Sequence, residues 1–589
     1  MKKSLVKILT LALAAATVAG MSAMAMPVSA LSDTNTATIT VIDVNDKGKT
    51  TEKPTVSAYR VLEATYNGTA FGGYKVADSV KSVVSKPEDL YSDKITGELI
   101  ADMAAAIVEN KVAATTTLTA AATDGVYTAD VPAGVYLILV TSAEAVVYNP
   151  GVVSVNVKGD NTLETNNKSL DMADRKVNNV TYIKSETPDF NKDIVSAETK
   201  GPQGDTVAWG DRVSFQLDEM TIPSYSDAYV KTSADDSLVY EITDTLDKDS
   251  FSGINGLTVT VGGKTVTAAD DTFDLYYQGA KVNPGTAGNA GGAATNFKVS
   301  FKDSFIRAHL GEAVQINYDS VFTSNATLNY AENKNVATLN YSNDPSDLSK
   351  THELTDVTYH YTFGIDADID AKAETASGNK ETYELNKVTE KRATAGEYVN
   401  GTGIADTDGS IGKMGQATSV SNKPLADAEF TLYRDAAFTD VVDVTKSDAN
   451  GHITFKGLDE GTYYMKETGT PKGTVTYAKD ESVYEITISA TLNATSGIME
   501  SYTISTKKDG AAVGSATYTN TPAVNDDYSV TNTIEHNVDQ VEIVNTPLAE
   551  LPATGGMGTI AITLGAAVGM AGFMTLYIVN KKKKEEENA

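Results

Sequence analysis

Leu257-Thr258-Val259-Thr260-Val261-Gly262-Gly263-Lys264-Thr265-Val266 sets the fold class. It is a short Val- and Thr-rich segment punctuated by glycine, and the exported part of the chain repeats that pattern. Ala37–Val44, Val135–Val140, Val314–Tyr318 and Tyr463–Lys466 are further short runs rich in Val, Ile, Thr and Tyr, bounded by Gly, Asn and Asp. Short strands with regular turn signals predict antiparallel β-sandwiches in series. Tyr outnumbers Phe by 29 to 14, as suits strands buried on one face and wet on the other. Helical spacing is confined to about Thr96–Lys111, where Leu99, Met103, Ile107 and Val108 share one face.

The chain has 589 residues, enough for about three or four domains. Polar, turn-rich stretches near Lys184–Pro188 and from Asn343 to Tyr361 divide it into domains at 31–184, 185–360 and 361–548. Gly285–Ala294 reads as a loop inside the second. With 48 Lys and Arg against 78 Asp and Glu, the net charge is −30. Phosphate backbones would repel such a surface, so nucleic acid is excluded as a partner. There is no Cys, hence no disulfide, zinc ribbon or thiol nucleophile. Five scattered His leave little material for a metal or catalytic centre, and neither cofactor nor metal is expected. Asp406-Thr407-Asp408-Gly409 hints at a calcium loop, but its twelfth position is Ala417 rather than Glu. That loop and Asp366–Asp370 read as solvated acidic stretches. No paired-carboxylate cleft or Ser–His motif supports a wall hydrolase, and the chain is not expected to be an enzyme.

Both ends read as address labels. Lys2, Lys3 and Lys7 precede an apolar core from Ile8 to Gly20, and Val28-Ser29-Ala30 supplies small residues for cleavage, so 1–30 is a signal peptide. At the other end Leu551-Pro552-Ala553-Thr554-Gly555 precedes an apolar run, 557–580, and a basic tail, 581–589. That run is long enough for a transmembrane helix, with the lysines on the cytoplasmic side. A single-pass anchor with a chance pentapeptide is the plain alternative. The three-part pattern, however, resembles the sorting signal of Gram-positive surface proteins. The resemblance implies that a sortase cuts between Thr554 and Gly555 and passes the Thr554 acyl group to an amine.

Lys423-Pro424-Leu425-Ala426-Asp427-Ala428-Glu429-Phe430-Thr431-Leu432-Tyr433, Asn450-Gly451-His452-Ile453-Thr454-Phe455, Gly461-Thr462-Tyr463-Tyr464-Met465-Lys466-Glu467-Thr468 and Val544-Asn545-Thr546-Pro547 together carry a second resemblance. They are similar to the Cna-B domains of sortase-assembled fimbrial shaft subunits. Thr470 and Thr474 depart from the family's usual Ala and Tyr. The resemblance implies tandem immunoglobulin-like, all-β sandwiches of Cna-A and Cna-B type, with a short helix in the first. It also implies intramolecular Lys–Asn isopeptide bonds, each formed beside a carboxylic acid.

For the third domain the implied set is Lys387, Glu467 and Asn545. Residues 388–420 separate Lys387 from the opening motif, a longer interval than the family usually has, and Lys372 is the fallback. The second domain is similar to the Cna-A variety. Pro188–Val195 supplies Lys192, Tyr240–Leu246 supplies Asp244, and Asn335–Leu339 supplies Asn335, with Asn317, Asn325 and Asn329 as alternative acceptors. The chemistry is sound in outline. Burial lowers an amine's pKa and raises a carboxyl's, and the protonated acid can polarise the carboxamide through its oxygen.

Val180-Thr181-Tyr182-Ile183-Lys184 resembles the pilin motif that usually runs Tyr-Pro-Lys, with Ile183 in place of Pro. It implies that an exposed Lys184 receives Thr554 of another subunit; Lys176 and Lys192 are its rivals. The implied partners are a sortase, identical subunits, peptidoglycan and a host-surface receptor, on a cell-wall-anchored pilus. A monomeric or tip adhesin binding glycan or matrix protein is the competing reading. It would share the export signal, the anchor and the internal ties but not the use of Lys184. Domain one, with Ala58–Val61, Gly134–Ile138 and Val147–Pro150 similar to the pilin N-terminal module, offers no convincing Lys–acid–Asn set.

Overall fold

The computed structural model describes residues 31–44, 53–91, 94–142, 145–164, 179–196, 200–226, 229, 237–283, 294–344, 347–367, 383–389, 423–472 and 475–548. The signal peptide, Lys176, Lys372, the Asp406–Gly409 loop, the sorting motif, the apolar run 557–580 and the tail lie outside these residues. Among the described residues no helix is long and apolar enough to cross a membrane.

Strands dominate, as the sequence predicts. Between residues 31 and 183 the described strands form two sheets that pack face to face. Val180–Tyr182, Ala37–Ile42, Tyr127–Val131 and Thr119–Ala120 make the first. The second runs Ala70–Val76, Thr55–Asn67, Gly134–Thr141 and Gly151–Val155, with Thr116–Thr117 also paired to Thr55–Asn67. Ile39, Val41, Tyr136 and Ile138 are buried between them. The predicted helix spans Gly97–Glu109, with the Thr96 hydroxyl accepting from the Leu99 N–H at 3.1 Å as an N-cap. Its Ile100, Met103 and Ile107 pack on Leu137 and Leu139, which face away from the sandwich core.

The next module opposes a five-stranded sheet to a seven-stranded one. The five-stranded sheet is ordered Asn191–Ile194, Arg212–Thr221, Ala313–Phe322, Phe251–Val261, Lys264–Val266. The seven-stranded sheet is ordered Gly204–Thr206, Thr351–Tyr361, Asn333–Ser342, Tyr240–Leu246, Asn296–Phe301, Phe273–Tyr277, Ala280–Lys281. Alternation explains the packing: Val213, Phe215 and Leu217 point inward along one strand while Ser214 and Gln216 point outward. The opening segment forms a tight turn between Val261 and Lys264, where Gly262 and Gly263 both adopt positive φ.

The last module sets a three-stranded sheet (Lys423–Pro424, Leu385–Thr389, Val541–Asn545) against seven strands from Val441–Lys446 to Ile534–Asp539. Pairing is not purely antiparallel. Ala37–Ile42 with Val180–Tyr182, Gly204–Thr206 with Thr351–Tyr361, and Leu385–Thr389 with Val541–Asn545 all run parallel. Each pairing joins an early strand of a module to a late one, as closing a sandwich on itself requires.

Candidate functional site: two buried amine–acid–carboxamide clusters and an exposed strand-end lysine

Among the described residues the buried lysines are Lys192 and Lys387, each with no exposed side-chain surface. A lysine so placed needs a partner or must lose its charge. Both have partners, in different arrangements.

Lys387 lies on Leu385–Thr389 and Asn545 on the parallel neighbour Val541–Asn545, whose register sets Lys387 opposite Ile543 and Asn545 opposite Thr389. The two side chains are diagonal neighbours on the inward face. Glu467 reaches them from Gly461–Gly469 in the facing sheet. Lys387 Nζ stands 2.5 Å from Asn545 Oδ1 and 3.1 Å from Glu467 Oε2, while Asn545 Nδ2 donates to Glu467 Oε1 at 2.7 Å. The Asp480 N–H donates to the same Oε2 at 3.0 Å and helps fix the carboxylate. Burial pushes the Lys387 amine down, with the Glu467 charge opposing. The carboxyl faces the carboxamide nitrogen here, whereas the outline drawn from the resemblance set it against the oxygen. One oxygen of Glu467 thus touches the nucleophile and the other touches the group that would leave.

In the preceding module the amine comes from one sheet and its partners from the other. Lys192 lies on the edge strand Asn191–Ile194, and its backbone N–H donates to Asp356 Oδ2 at 2.7 Å. Asp244 and Asn335 sit diagonally on adjacent strands of the facing sheet, in a register that sets Asn335 opposite Leu246. Lys192 Nζ is 2.5 Å from Asp244 Oδ2 and lies over the Phe215 ring at 4.9 Å. Burial lowers the amine and raises the Asp244 carboxyl, each opposed by the other's charge. Both shifts favour the neutral pair. Asn335 is not bonded to Lys192 directly; its Nδ2 donates to Tyr318 Oη at 2.6 Å, and Lys192 Nζ donates to the same oxygen at 3.1 Å.

Sequence reasoning passed over Tyr318 because, at the end of an alternating Val314–Tyr318 run, it reads as a core aromatic. Of the alternative acceptors, Asn317 is half-buried and Asn325 exposed, and Asn329 accepts from the Gly364 N–H at 3.2 Å. None of these contacts involves Lys192.

Lys184 is the opposite case. Its side chain is exposed while its backbone is held on both sides. The Ile183 N–H donates to the Ile42 carbonyl, the Asn149 N–H donates to the Lys184 carbonyl, and Ser185–Glu186 pairs with Val147–Tyr148. Past Lys184 the chain therefore pairs back onto the first module in a separate two-stranded sheet. Ile183 is buried against Gly151, where a Cβ would come within 2.7 Å of its methyl. Asp366, from the second acidic stretch, is buried and not solvated. Its carboxylate accepts from the Leu385 and Ile453 N–H groups, and burial beside Glu384 raises its pKa. Among the described residues no His, Asp or Glu cluster could hold a metal ion.

A T6 antigen Ig-like domain matches residues 34–182, a prealbumin-like fold domain matches 410–513, and the LPXTG cell wall anchor motif matches 543–587. The chain is 24% identical to the trypsin-resistant surface T6 protein of Streptococcus pyogenes serotype M6, over 94% of this chain and 97% of that one. The solved T6 backbone pilin of that serotype, described as a modular three-domain structure, superposes with a TM-score of 0.54. It is 19% identical and covers 88% of this chain and all of that one. The major pilin subunit of Bacillus cereus aligns at a TM-score of 0.36 and 13% identity over 87% of this chain and 100% of its own. The chain is thus an all-β protein of tandem immunoglobulin-like modules with a cell-wall anchor motif, similar along nearly its whole length to a streptococcal backbone pilin.

Proposed function

We propose that the chain is the shaft subunit of a covalent pilus on a Gram-positive cell wall, with modules 31–184, 185–360 and 361–548 in series. A sortase joins Thr554 of one copy to Lys184 of the next, and peptidoglycan receives the base of the fibre. Two self-formed Lys–Asn amide bonds stiffen it. The observation that carries this reading is the pair of dry Lys–carboxyl–Asn clusters placed in series between an exposed, strand-held lysine and a sorting motif.

The chemistry follows from the geometry of the last module. Lys387 becomes neutral by passing a proton to Glu467. The amine then attacks the Asn545 carboxamide carbon, its next proton goes to Oε2, and the protonated carboxyl passes its own proton from Oε1 to the departing nitrogen. Ammonia leaves. Packing holds the three groups at contact distance, which supplies the effective concentration that an unactivated amide needs. No separate substrate is turned over, so the chain is a structural subunit and not an enzyme.

Two measurements test the reading. Intact mass of the exported chain should fall by one ammonia, about 17 Da, per bond, with branched tryptic peptides containing Lys192 and Lys387. Co-expression with its sortase should give an SDS-resistant ladder that Lys184→Ala abolishes. A ladder surviving that substitution would move the linkage elsewhere, and a wall-bound monomer would favour the adhesin.

A further inference from the structure

We infer that the Tyr318 hydroxyl is a catalytic group of the middle site, carrying a proton from the Lys192 amine to the departing nitrogen of Asn335. This rests on the reading that Lys192 and Asn335 become joined, and it comes from a difference between the two clusters. In the last module one carboxylate touches both reacting nitrogens, Oε2 on Lys387 Nζ and Oε1 on Asn545 Nδ2. Asp244 is one methylene shorter: it meets Lys192 Nζ and the Tyr318 hydroxyl but makes no hydrogen bond to the Asn335 nitrogen. The atom that touches both nitrogens in the middle site is Tyr318 Oη, at 3.1 Å from Nζ and 2.6 Å from Nδ2.

Neighbouring tyrosines show that packing alone does not dictate this placement. Tyr225 and Tyr341 are buried in the same core and donate their hydroxyl protons to the backbone carbonyls of Ser342 and Ala145, at 2.9 and 2.7 Å. Tyr318 has an equally well-packed ring, stacked on Phe215 at 5.0 Å and edge-on to Phe297 at 5.2 Å. Its hydroxyl instead lies between an amine and a carboxamide. Burial holds the phenol in its protonated form, which gives it a proton to hand on while it accepts another.

The step balances without a further reactant. The Nζ–Cγ bond forms and the Cγ–Nδ2 bond breaks. One proton passes from Nζ to Oη as the hydroxyl's own proton passes to Nδ2, and ammonia departs with the electron pair of the broken bond. Tyr318 ends as it began. Asp244 holds the amine in place and takes up the proton it sheds on becoming neutral.

The test follows the exported chain after cell-free synthesis, by intact mass and by mapping of both branched peptides against time. In Tyr318→Phe the ring stays and the hydroxyl goes. The Lys387–Asn545 peptide should appear at the wild-type rate, while the Lys192–Asn335 peptide slows by about 100-fold or more, the usual range for loss of a proton-transfer group. Fluorinated tyrosines at position 318 keep the packing and change the acidity, so the rate of the middle bond should follow phenol acidity. A middle bond forming at the wild-type rate in the phenylalanine variant, or a rate indifferent to fluorination, overturns the inference and leaves the bond itself standing. Absence of the branched peptide from the wild-type chain overturns the bond, and with it the inference.

Discussion

Lys192 and Asp244 are two charges' worth of chemistry in a place without water, and what removing either one does depends on which is removed. Asp244→Ala leaves the amine, which burial already pushes down, without the partner that opposes that shift, and removing one member of a buried pair costs up to about 3–5 kcal/mol. Lys192→Met fills similar volume with no charge and leaves a carboxyl that burial already pushes toward its neutral form. Neither variant can form the proposed middle bond, so the comparison isolates the buried charge. Asp244→Ala should unfold several degrees below Lys192→Met in a thermal scan, and equal midpoints would show that the amine simply neutralises at no cost. The sequence reveals some of these residues better than others. Glu467 and Asn545 stand inside extended motifs that leave little choice of position. Asn335 competes with three nearby asparagines, of which Asn329 is also buried, and only its place beside Tyr318 distinguishes it. Tyr318 is invisible, because alternation shows that a side chain faces inward and says nothing about where its terminal oxygen ends.

Elements show a similar division. Alternation and glycine turns predict strands, and the Thr96–Lys111 spacing predicts the helix found at Gly97–Glu109. Strand order and the parallel closures depend on partners far along the chain, which local pattern cannot specify. The joint between the last two modules is a further case. Trp209, the single tryptophan of the chain, donates its backbone N–H to the Gly457 carbonyl at 3.0 Å, and a Cβ on Gly457 would lie 2.0 Å from its ring. Gly457 also has φ +73°. Gly457→Ala should therefore weaken the joint by roughly 2 kcal/mol or more through strain and displacement of the ring. The change would read out as shifted Trp209 emission with both branched peptides still present; unchanged emission would mean that the ring does not sit there.

Acids crowd the same joint. Burial pushes Asp205 up to about 7 against a hydrogen bond from the Lys200 N–H, with Asp459 adding to the rise, and pushes Asp459 up to about 6. Lys200 Nζ is engaged by Glu460 Oε2 at 2.5 Å. An unfolded aspartate titrates near 3.9, so between about pH 4 and 7 the folded chain keeps protons that the unfolded chain has released. The joint's stability is then greatest below about pH 4 and declines as pH rises through 6 to 7. Unfolding followed by Trp209 should show a midpoint falling over that range by an amount worth roughly 1–3 kcal/mol after solvent screening. Asp205→Asn should flatten the slope, and identical slopes would remove Asp205 from the account.

At the scale of the molecule the two proposed bonds would decide where tension runs. In a fibre joined through Lys184 and Thr554, load enters just before the strand Asn191–Ile194 and leaves just after Val541–Asn545. A Lys387–Asn545 bond lets tension bypass the 158 positions between them, about 540 Å of chain at roughly 3.4 Å per residue. In the middle module Asn335 lies 17 positions beyond Tyr318, itself 126 beyond Lys192, so that bond shields roughly 490 Å. Sandwich strands loaded at their ends ordinarily separate at a rate set by an unfolding barrier. A covalent link placed across the loaded ends removes that route and also restricts the unfolded chain, worth about 2–4 kcal/mol by analogy with a disulfide. Pulled singly from residue 184 to residue 554, the wild-type chain should release neither length at any force below bond rupture. Glu467→Ala, by preventing the last bond, should add one unfolding step longer by about 540 Å, and Asp244→Ala one longer by about 490 Å. Steps of full domain length in the wild type would mean that tension passes through the strands, leaving the buried clusters as unreacted core.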